Sequence, residues 1–267
     1  MAADGPPRIL VLVLALDREP WRTIEREGQR RTWAAPENVP AGCRVIFYEG
    51  RTGLPAEAGR VLGRLARSSR AAGRAFAALS TRVAAAGATL EGDRLRTRAP
   101  EAYTLMLPKL LAALRWADSG AAGSFDYVLR ANTSAYVVLD RLQELARGLP
   151  ATACYAGWLG NPPPAGPPFV KGGGILLSRD VAEAVARDPG PWPWGAADDA
   201  ALAPFLLGSG IEPISLPRTL ARGPADVAAL PEDELRSAFL FRCKSQGGAR
   251  VDHLTMQALH ARLGQTD

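Results

Sequence analysis

Cysteine and histidine are scarce in this sequence of 267 residues. The three cysteines, Cys43, Cys154 and Cys243, lie far apart and form no Cys-x-x-Cys pair. This pattern predicts reduced thiols in a cytosol-like compartment and argues against a zinc site. The two histidines, His253 and His260, fall on one predicted helix. We interpret them as surface or partly buried residues rather than metal ligands.

Apolar runs long enough to cross a bilayer are also lacking. Residues 9–16 are apolar, but the run is much too short to span a membrane. Only Arg8 precedes it and no small-residue cleavage site follows it, so a buried first strand is a better interpretation than a signal peptide. We therefore expect a cytoplasmic protein without a membrane span, and the Ala-, Arg-, Gly- and Pro-rich composition would fit a bacterial enzyme.

The charge balance is moderately basic, with 32 Lys and Arg against 27 Asp and Glu. Such a balance suits anionic partners, including nucleotides, phosphates, nucleic acid and membrane surfaces, without choosing among them. Much of the excess lies in residues 51–98, where arginines alternate with Ala and Leu at helical spacing and Phe76 is the only aromatic residue. A solvated helix face explains this segment better than a nucleic-acid interface, which would need more aromatic residues for base stacking.

The order of apolar segments predicts an α/β fold. Two apolar strands at residues 9–16 and 44–48 flank a helix at 21–33, and such a crossover is what parallel strands require. Further strands are predicted at residues 127–129, 136–138, 175–177, 214–216 and 239–241. Further helices are predicted at residues 55–86, 101–117, 141–147, 181–186, 197–207 and 251–263, with loops at 162–168 and 223–233. The length allows one core, so we expect a single domain, residues 1–267, with a mixed, mostly parallel sheet flanked by helices.

One polar segment sits where an open α/β sheet binds ligands, at the carboxyl end of a strand. Asn132-Thr133-Ser134 interrupts two predicted strands, and Gly172-Gly173-Gly174 precedes another. Three missing side chains would let a sugar or phosphate lie against the main chain, although a tight turn or bulge explains the glycines as well. The run is not a dinucleotide fingerprint, because its spacing differs and the strand follows it.

An acidic pair, Asp198-Asp199, opens a predicted helix directly after Trp192-Pro193-Trp194-Gly195. One carboxylate can cap the helix, which leaves the other free to act as a general base. The tryptophans offer flat apolar faces of the kind that hold sugar rings, and burial in a proline turn is an equally good explanation.

Five segments occur in an order and spacing that resembles the β-1,3-galactosyltransferase/fringe clan of inverting glycosyltransferases. They are residues 26–33, ending in Arg-x-Thr-Trp; residues 103–116, containing Leu-Pro-Lys; residues 126–137; residues 167–178, with the triple glycine; and residues 198–213, from the acidic pair to Gly-Ile-Glu-Pro. The resemblance implies a GT-A nucleotide-sugar-binding fold. It also implies transfer of a sugar, with inversion, from a nucleoside diphosphate sugar, with a UDP-sugar as the expected donor, to a hydroxyl of a small molecule or glycan.

The resemblance also assigns roles to residues. Asp199 matches the catalytic base. The expected donor-binding residues are Arg26, Arg30, Arg130, Asn132, Thr133, Ser134, Arg242 and Lys244. The expected acceptor- or sugar-binding residues are Trp158, Lys171, Gly172, Gly173, Gly174, Trp194 and Asp198.

The chain departs from the clan where a metal would bind. The clan carries three aspartates where this sequence has Asn132-Thr133-Ser134, and a histidine near Arg242-Cys243-Lys244. Because divalent cations prefer charged oxygen ligands, we predict no metal cofactor, although manganese through other acids stays open. Arg242 and Lys244 would then stabilise the leaving diphosphate, unless they merely solvate a strand end. A non-catalytic sugar- or nucleotide-binding protein of the same fold is the main alternative, and a nucleic-acid-binding protein is the third.

Overall fold

The computed structural model describes residues 5–51, 61, 70–102, 105–160, 168–188, 190, 192–194, 196–247 and 249–264. Most of the predicted loop at 162–168 and half of the predicted helix at 55–86 lie outside these ranges. The strands are β1 Ile9–Leu14, β2 Cys43–Arg51, β3 Ala88–Glu91, β4 Arg94–Pro100, β5 Tyr127–Ala131, β6 Ala135–Val137, β7 Tyr155–Leu159, β8 Val170–Ser178, β9 Pro213–Ser215, β10 Thr219–Leu220 and β11 Leu240–Arg242.

Helices follow most of the strands. They are α1 Trp21–Thr23, which continues as a π-helix over Ile24–Gln29, α2 Arg70–Ala85, α3 Met106–Trp116, α4 Leu139–Arg147, α5 Arg179–Arg187, α6 Asp198–Gly208, α7 Pro224–Ala229, α8 Glu232–Ser237 and α9 Asp252–Leu263. None of the described helices is both long and apolar enough to cross a membrane.

Eight strands form one sheet in the order β3-β4-β2-β1-β5-β8-β7-β9. The run β4-β2-β1-β5 is parallel throughout, and β7 and β9 are also parallel. Strand β8 runs antiparallel to β5 and β7, and β3 runs antiparallel to β4. A second sheet contains β10, β11 and β6. The predicted α/β class, with a mixed and mostly parallel sheet flanked by helices, is confirmed.

Strand β1 lies at the centre of the sheet and is buried along its whole length. Alternate side chains point to opposite faces of a strand. Val11 and Val13 accordingly pack into one core layer, and Leu10 and Leu12 into the other. Helices α3, α5 and α6 contribute to the layer of Leu10, whereas α4, α9 and the small sheet contribute to the layer of Val11. A continuous apolar run was the correct signal for a strand covered on both faces.

The structure differs from the sequence prediction in several regions. Strands β3, β7 and β10 were not predicted. Strand β4 was missed, although its residues alternate between buried and exposed in the pattern of a strand with one covered face. The segment 223–233 forms α7 and α8 instead of a loop. Residues 21–33 form a helix that ends early, at Gln29, and α9 packs on it at Gly28, where a β-carbon would lie 2.8 Å from the Met256 sulfur.

Candidate active site

A cleft of about 460 Å³ opens at the carboxyl ends of β1 and β5. Open α/β sheets bind ligands at this edge. Eleven of the predicted site residues line it, namely Arg130, Asn132, Thr133, Ser134, Lys171, Gly172, Gly173, Asp198, Asp199, Arg242 and Lys244. The fold thus brings together residues that are spread over more than a hundred positions of the sequence.

Other predicted residues lie outside the cleft. Arg26 is exposed and pairs with its neighbour Glu27. Arg30 pairs with Glu25 at 2.7 Å and with Asp93, so its guanidinium is already neutralised. Neither arginine lines the cleft, so the structure does not place them where the donor was expected to bind.

Two predicted sugar-binding residues, Gly174 and Trp194, also contact the core instead of the cleft. A β-carbon on Gly174 would lie 2.4 Å from Leu240. Trp194 packs against the small cluster of Phe76, Ala102 and Leu105. Both positions therefore have a packing explanation.

The Asn132-Thr133-Ser134 turn is held by its own side chains. The Asn132 side-chain oxygen accepts from the Ser134 amide at 2.9 Å, and its amide nitrogen donates to the Gly172 carbonyl at 2.9 Å. The Ser134 hydroxyl accepts from Arg250 at 2.8 Å. These bonds join the ends of β5 and β8 and place an arginine beside the turn.

Arg130 and Asp198 form an ion pair beneath the cleft. Their charged atoms are 2.7 Å apart, and the side chains are only 2% and 1% exposed. Burial raises the pKa of the Asp198 carboxyl, and the Arg130 guanidinium opposes that shift. Arg130 also donates to the Gly172 carbonyl. This buried pair positions the acidic segment and the glycine segment against each other, which is a different role from the predicted donor and sugar contacts.

Asp199 is the carboxylate that faces the cleft. One of its oxygens accepts from the Gly172 amide at 2.7 Å and the other from the Ala200 amide at 2.9 Å. The N-cap position of α6 is Ala197, so neither acid occupies it. Asp198 nevertheless accepts from a first-turn amide, that of Asp199, at 3.1 Å, as expected for a carboxylate at the start of a helix. Asp198 is also used by the buried ion pair, and Asp199 has no ion pair with any described residue.

The first two cleft glycines differ in the space around them. A β-carbon on Gly172 would lie 2.9 Å from an Arg130 nitrogen and 3.0 Å from Asp199, so a larger residue would have to displace the end of one of these side chains. Gly173 has no positive φ angle, and a β-carbon there would meet nothing closer than 3.7 Å. A larger residue would therefore not strain the backbone at Gly173, and it could block the cleft only through a side chain that enters it.

Positive charge without counter-charge collects around the cleft. Five lining cations form no ion pair with any described residue, namely Arg18, Lys171, Arg218, Arg242 and Lys244. One buried nitrogen of Arg242 also lacks a hydrogen-bond partner among the described residues. Burial lowers the pKa of Arg242 to about 10, and repulsion from Arg218 and other guanidinium groups adds to the shift. Such an arrangement is costly unless an anion binds there.

No family model matches this chain, and no curated protein sequence is significantly similar to it. Several solved structures are distantly similar to it. The mannosyltransferase PcManGT from Pyrobaculum calidifontis, solved with GDP-Man and Mn2+, shares 15% identity at a TM-score of 0.45, covering 97% of this chain and 70% of the other. The glycosyltransferase GlyE of Streptococcus pneumoniae TIGR4 shares 13% at a TM-score of 0.39, covering 98% and 63%. Mouse xyloside xylosyltransferase 1 shares 10% at 0.36, covering 91% and 96%. Because these TM-scores are below 0.5, the α/β class rests on the strand order and pairing given above.

The residues of the cleft do not fit a divalent cation. No group of three or more His, Cys, Asp or Glu among the described residues is arranged to hold a metal. Arg250 binds both the Asp252 carboxylate and the Ser134 hydroxyl. A guanidinium therefore stands beside the Ser134 hydroxyl, where a bound cation would be repelled.

Sequence reasoning missed Arg218 and Arg250. Each is a single arginine in a loop, without periodicity or a motif around it. Only the fold brings Arg218 next to Lys171, through a shared contact with Trp158, and Arg250 next to Ser134. No local pattern in the sequence distinguishes them from the chain's many other arginines.

Proposed function

We propose that this protein is a GT-A-like glycosyltransferase that moves a sugar from a nucleoside diphosphate sugar to a hydroxyl of an acceptor. The observation that carries the proposal is one cleft in which unpaired cations and an unpaired carboxylate, Asp199, face the same space. The cations suit a leaving diphosphate and the carboxylate suits a base. A nucleic-acid-binding surface would not require the carboxylate.

The diphosphate is assigned to the side of Arg242 and Lys244. Negative charge develops on the leaving phosphate oxygen as the bond to the sugar breaks, and fixed cations stabilise it without reorganisation. Arg242 suits this role because its planar group can contact two phosphate oxygens at once. The Ser134 hydroxyl and Arg250 extend the same surface.

Asp199 is assigned as the general base. It would take the proton of the acceptor hydroxyl while the acceptor oxygen bonds to the anomeric carbon and the electron pair of the broken bond leaves with the diphosphate. A single displacement of this kind inverts the anomeric configuration. The Gly172 amide fixes the orientation of the carboxylate.

No step is assigned to a metal ion. Asn132, Thr133 and Ser134 are neutral, the side chains of Asn132 and Ser134 already form hydrogen bonds, and the Arg250 guanidinium lies beside Ser134. We infer that the cations of the chain carry out the charge neutralisation for which divalent ions are otherwise used.

A thermal-shift screen against nucleoside diphosphates and their sugars tests the proposal. The correct ligand at one hundred times its dissociation constant should stabilise the fold by about 2.7 kcal/mol. Stabilisation by one nucleotide type, with or without manganese, is the expected result. A protein that no nucleotide stabilises would contradict the proposal.

A non-catalytic binding protein of the same fold is the second candidate. The two hydrogen bonds that the Asp199 carboxylate accepts from backbone amides favour this candidate, because they give the carboxylate a structural role. Incubation with a nucleotide sugar that binds distinguishes the two candidates, because an enzyme would consume the nucleotide sugar and a pure binding protein would leave it intact.

A further inference from the structure

A second groove adjoins the cleft. Its volume is about 590 Å³, and it shares Lys171, Arg218, Arg242, Lys244 and Arg250 with the cleft. No described residue that lines it is acidic. The groove is thus a basic extension of the site, on the side away from the carboxyl end of β1.

The cations at the far end of this groove are held in place by an aromatic ring. The guanidinium carbon of Arg218 lies 3.5 Å from the centre of the Trp158 ring, and the Lys171 nitrogen lies 4.0 Å from it. Cations over a tryptophan ring are attracted by its π electrons. Trp158 was predicted to hold a sugar, but its ring is already used to position two charges.

Part of this arrangement is buried and lacks a partner. The Arg218 Nε atom is buried and has no hydrogen-bond partner among the described residues. Burial lowers the pKa of Arg218, which means that its charge is poorly compensated in the absence of ligand. Arg222, exposed and without an ion pair to a described residue, stands at the rim of the same groove.

The charge exceeds what a donor can neutralise. Six cations around the two cavities are free of ion pairs with described residues: Arg18, Lys171, Arg218, Arg222, Arg242 and Lys244. A diphosphate bridge brings about one negative charge per phosphate, and Asp199 adds one more. About three positive charges remain, which indicates a second anionic ligand group.

We propose that the acceptor is itself anionic, and that a phosphate group on it binds between Lys171, Arg218 and Arg222. This inference rests on the proposed transferase function. Lys171 precedes Gly172, whose amide holds Asp199, so a phosphate at Lys171 would leave the rest of the acceptor near the base. The phosphate takes no part in the chemistry, because the attacking group is a hydroxyl elsewhere on the acceptor. Soluble sugar phosphates and lipid-linked phosphates share the required group.

Calorimetry with glucose 6-phosphate and glucose as probes tests the groove. The protein is first saturated with the nucleoside diphosphate found by thermal shift, so that the phosphate probe cannot bind in the inner cleft. Glucose 6-phosphate should bind at least about tenfold more tightly than glucose, the effect of one hydrogen-bonded charged group. Equal binding of the two probes would overturn the proposal.

Charge variants locate the bound phosphate. Arg222→Gln should weaken glucose 6-phosphate binding about tenfold and leave nucleotide affinity unchanged, because Arg222 lines the groove and not the cleft. Lys171→Gln should weaken glucose 6-phosphate binding to a similar extent. Arg147→Gln, an exposed arginine on α4, is the matched control and should change neither. Undiminished binding in both groove variants would contradict the assigned site.

Two further results are informative. One distinguishes a soluble from a lipid-linked acceptor, and the other distinguishes failure of the anionic-acceptor proposal from failure of the transferase proposal. Sedimentation with phosphatidylcholine vesicles only when they contain a polyprenyl phosphate would indicate a lipid-linked acceptor. Binding of glucose 6-phosphate without any sedimentation would indicate a soluble one, and either result supports an anionic acceptor. Failure of every nucleotide to bind would reject the transferase itself. Normal nucleotide binding with transfer to neutral acceptors, unaffected by Arg222→Gln, would reject only the anionic acceptor.

Discussion

At the scale of single residues, the proposed base, Asp199, is the group that would distinguish an enzyme from a binding protein. Asp199→Asn should reduce turnover about a hundredfold or more, because a positioned base is lost. Folding and nucleotide affinity should change little, since the asparagine oxygen can still accept from Gly172. Steady-state kinetics and nucleotide titration measure both effects. Asp140→Asn, an exposed acid on α4, is the control, and an Asp199→Asn protein with normal turnover would reject the assignment.

The buried ion pair of Arg130 and Asp198 is a stability element. Asp198→Asn leaves the Arg130 charge buried without compensation, and we expect a loss of about 3–5 kcal/mol of unfolding free energy. The double variant Arg130→Met/Asp198→Leu should recover much of it, because no unpaired charge stays behind. Urea unfolding measures the three proteins. A double variant as unstable as Asp198→Asn would show that the pair is needed for more than charge balance.

Arg242 illustrates a conflict between stability and binding. Its charge is half-buried among like charges and has no ion pair with a described residue, so Arg242→Met should raise the unfolding free energy of the ligand-free protein by about 1 kcal/mol. The same change should weaken nucleotide binding at least about tenfold, because a charge-assisted phosphate contact is lost. Lower stability together with unchanged nucleotide affinity would mean that Arg242 only supports the strand end.

Site residues could be predicted from the sequence where they belong to a local motif. The polar turn at Asn132, the acidic pair and the triple glycine are each an unbroken stretch of sequence, and at least part of each lines the cleft. The pairing of Arg30 with Asp93 and the approach of Arg218 to Trp158 join distant segments. Long-range partners of this kind depend on the sheet order, which the sequence alone did not specify.

At the scale of elements, β8 connects the core to the cleft. Gly172→Ala should destabilise the protein by about 1–3 kcal/mol, the usual cost of overpacking, because the added carbon meets Arg130 and Asp199. Gly173→Ala is the matched control, with open space around it, and should be close to neutral. Thermal unfolding of both proteins gives the comparison. Equal stability of the two variants would contradict the geometry of this segment.

The strands and helices that the sequence revealed were those with strong apolar patterns. Strand β1, with every residue buried, and the leucine-rich α3 were predicted at nearly their observed positions. Strand β4 was missed because arginines occupy its exposed face and masked the alternation. The short helices α7 and α8 were missed because their proline and glycine boundaries resemble those of a loop.

At the scale of the whole molecule, one end of a mixed sheet gathers cations from β8, β11 and the loops between them, opposite a carboxylate at the start of α6. This arrangement leads to the central claim, that the chain's own cations replace a metal during sugar transfer. The most direct test is release of nucleoside diphosphate from the nucleotide sugar that binds, measured with an acceptor in the presence of EDTA and in the presence of manganese. We predict the same rate in both conditions. Activity abolished by EDTA and restored by manganese would contradict the account.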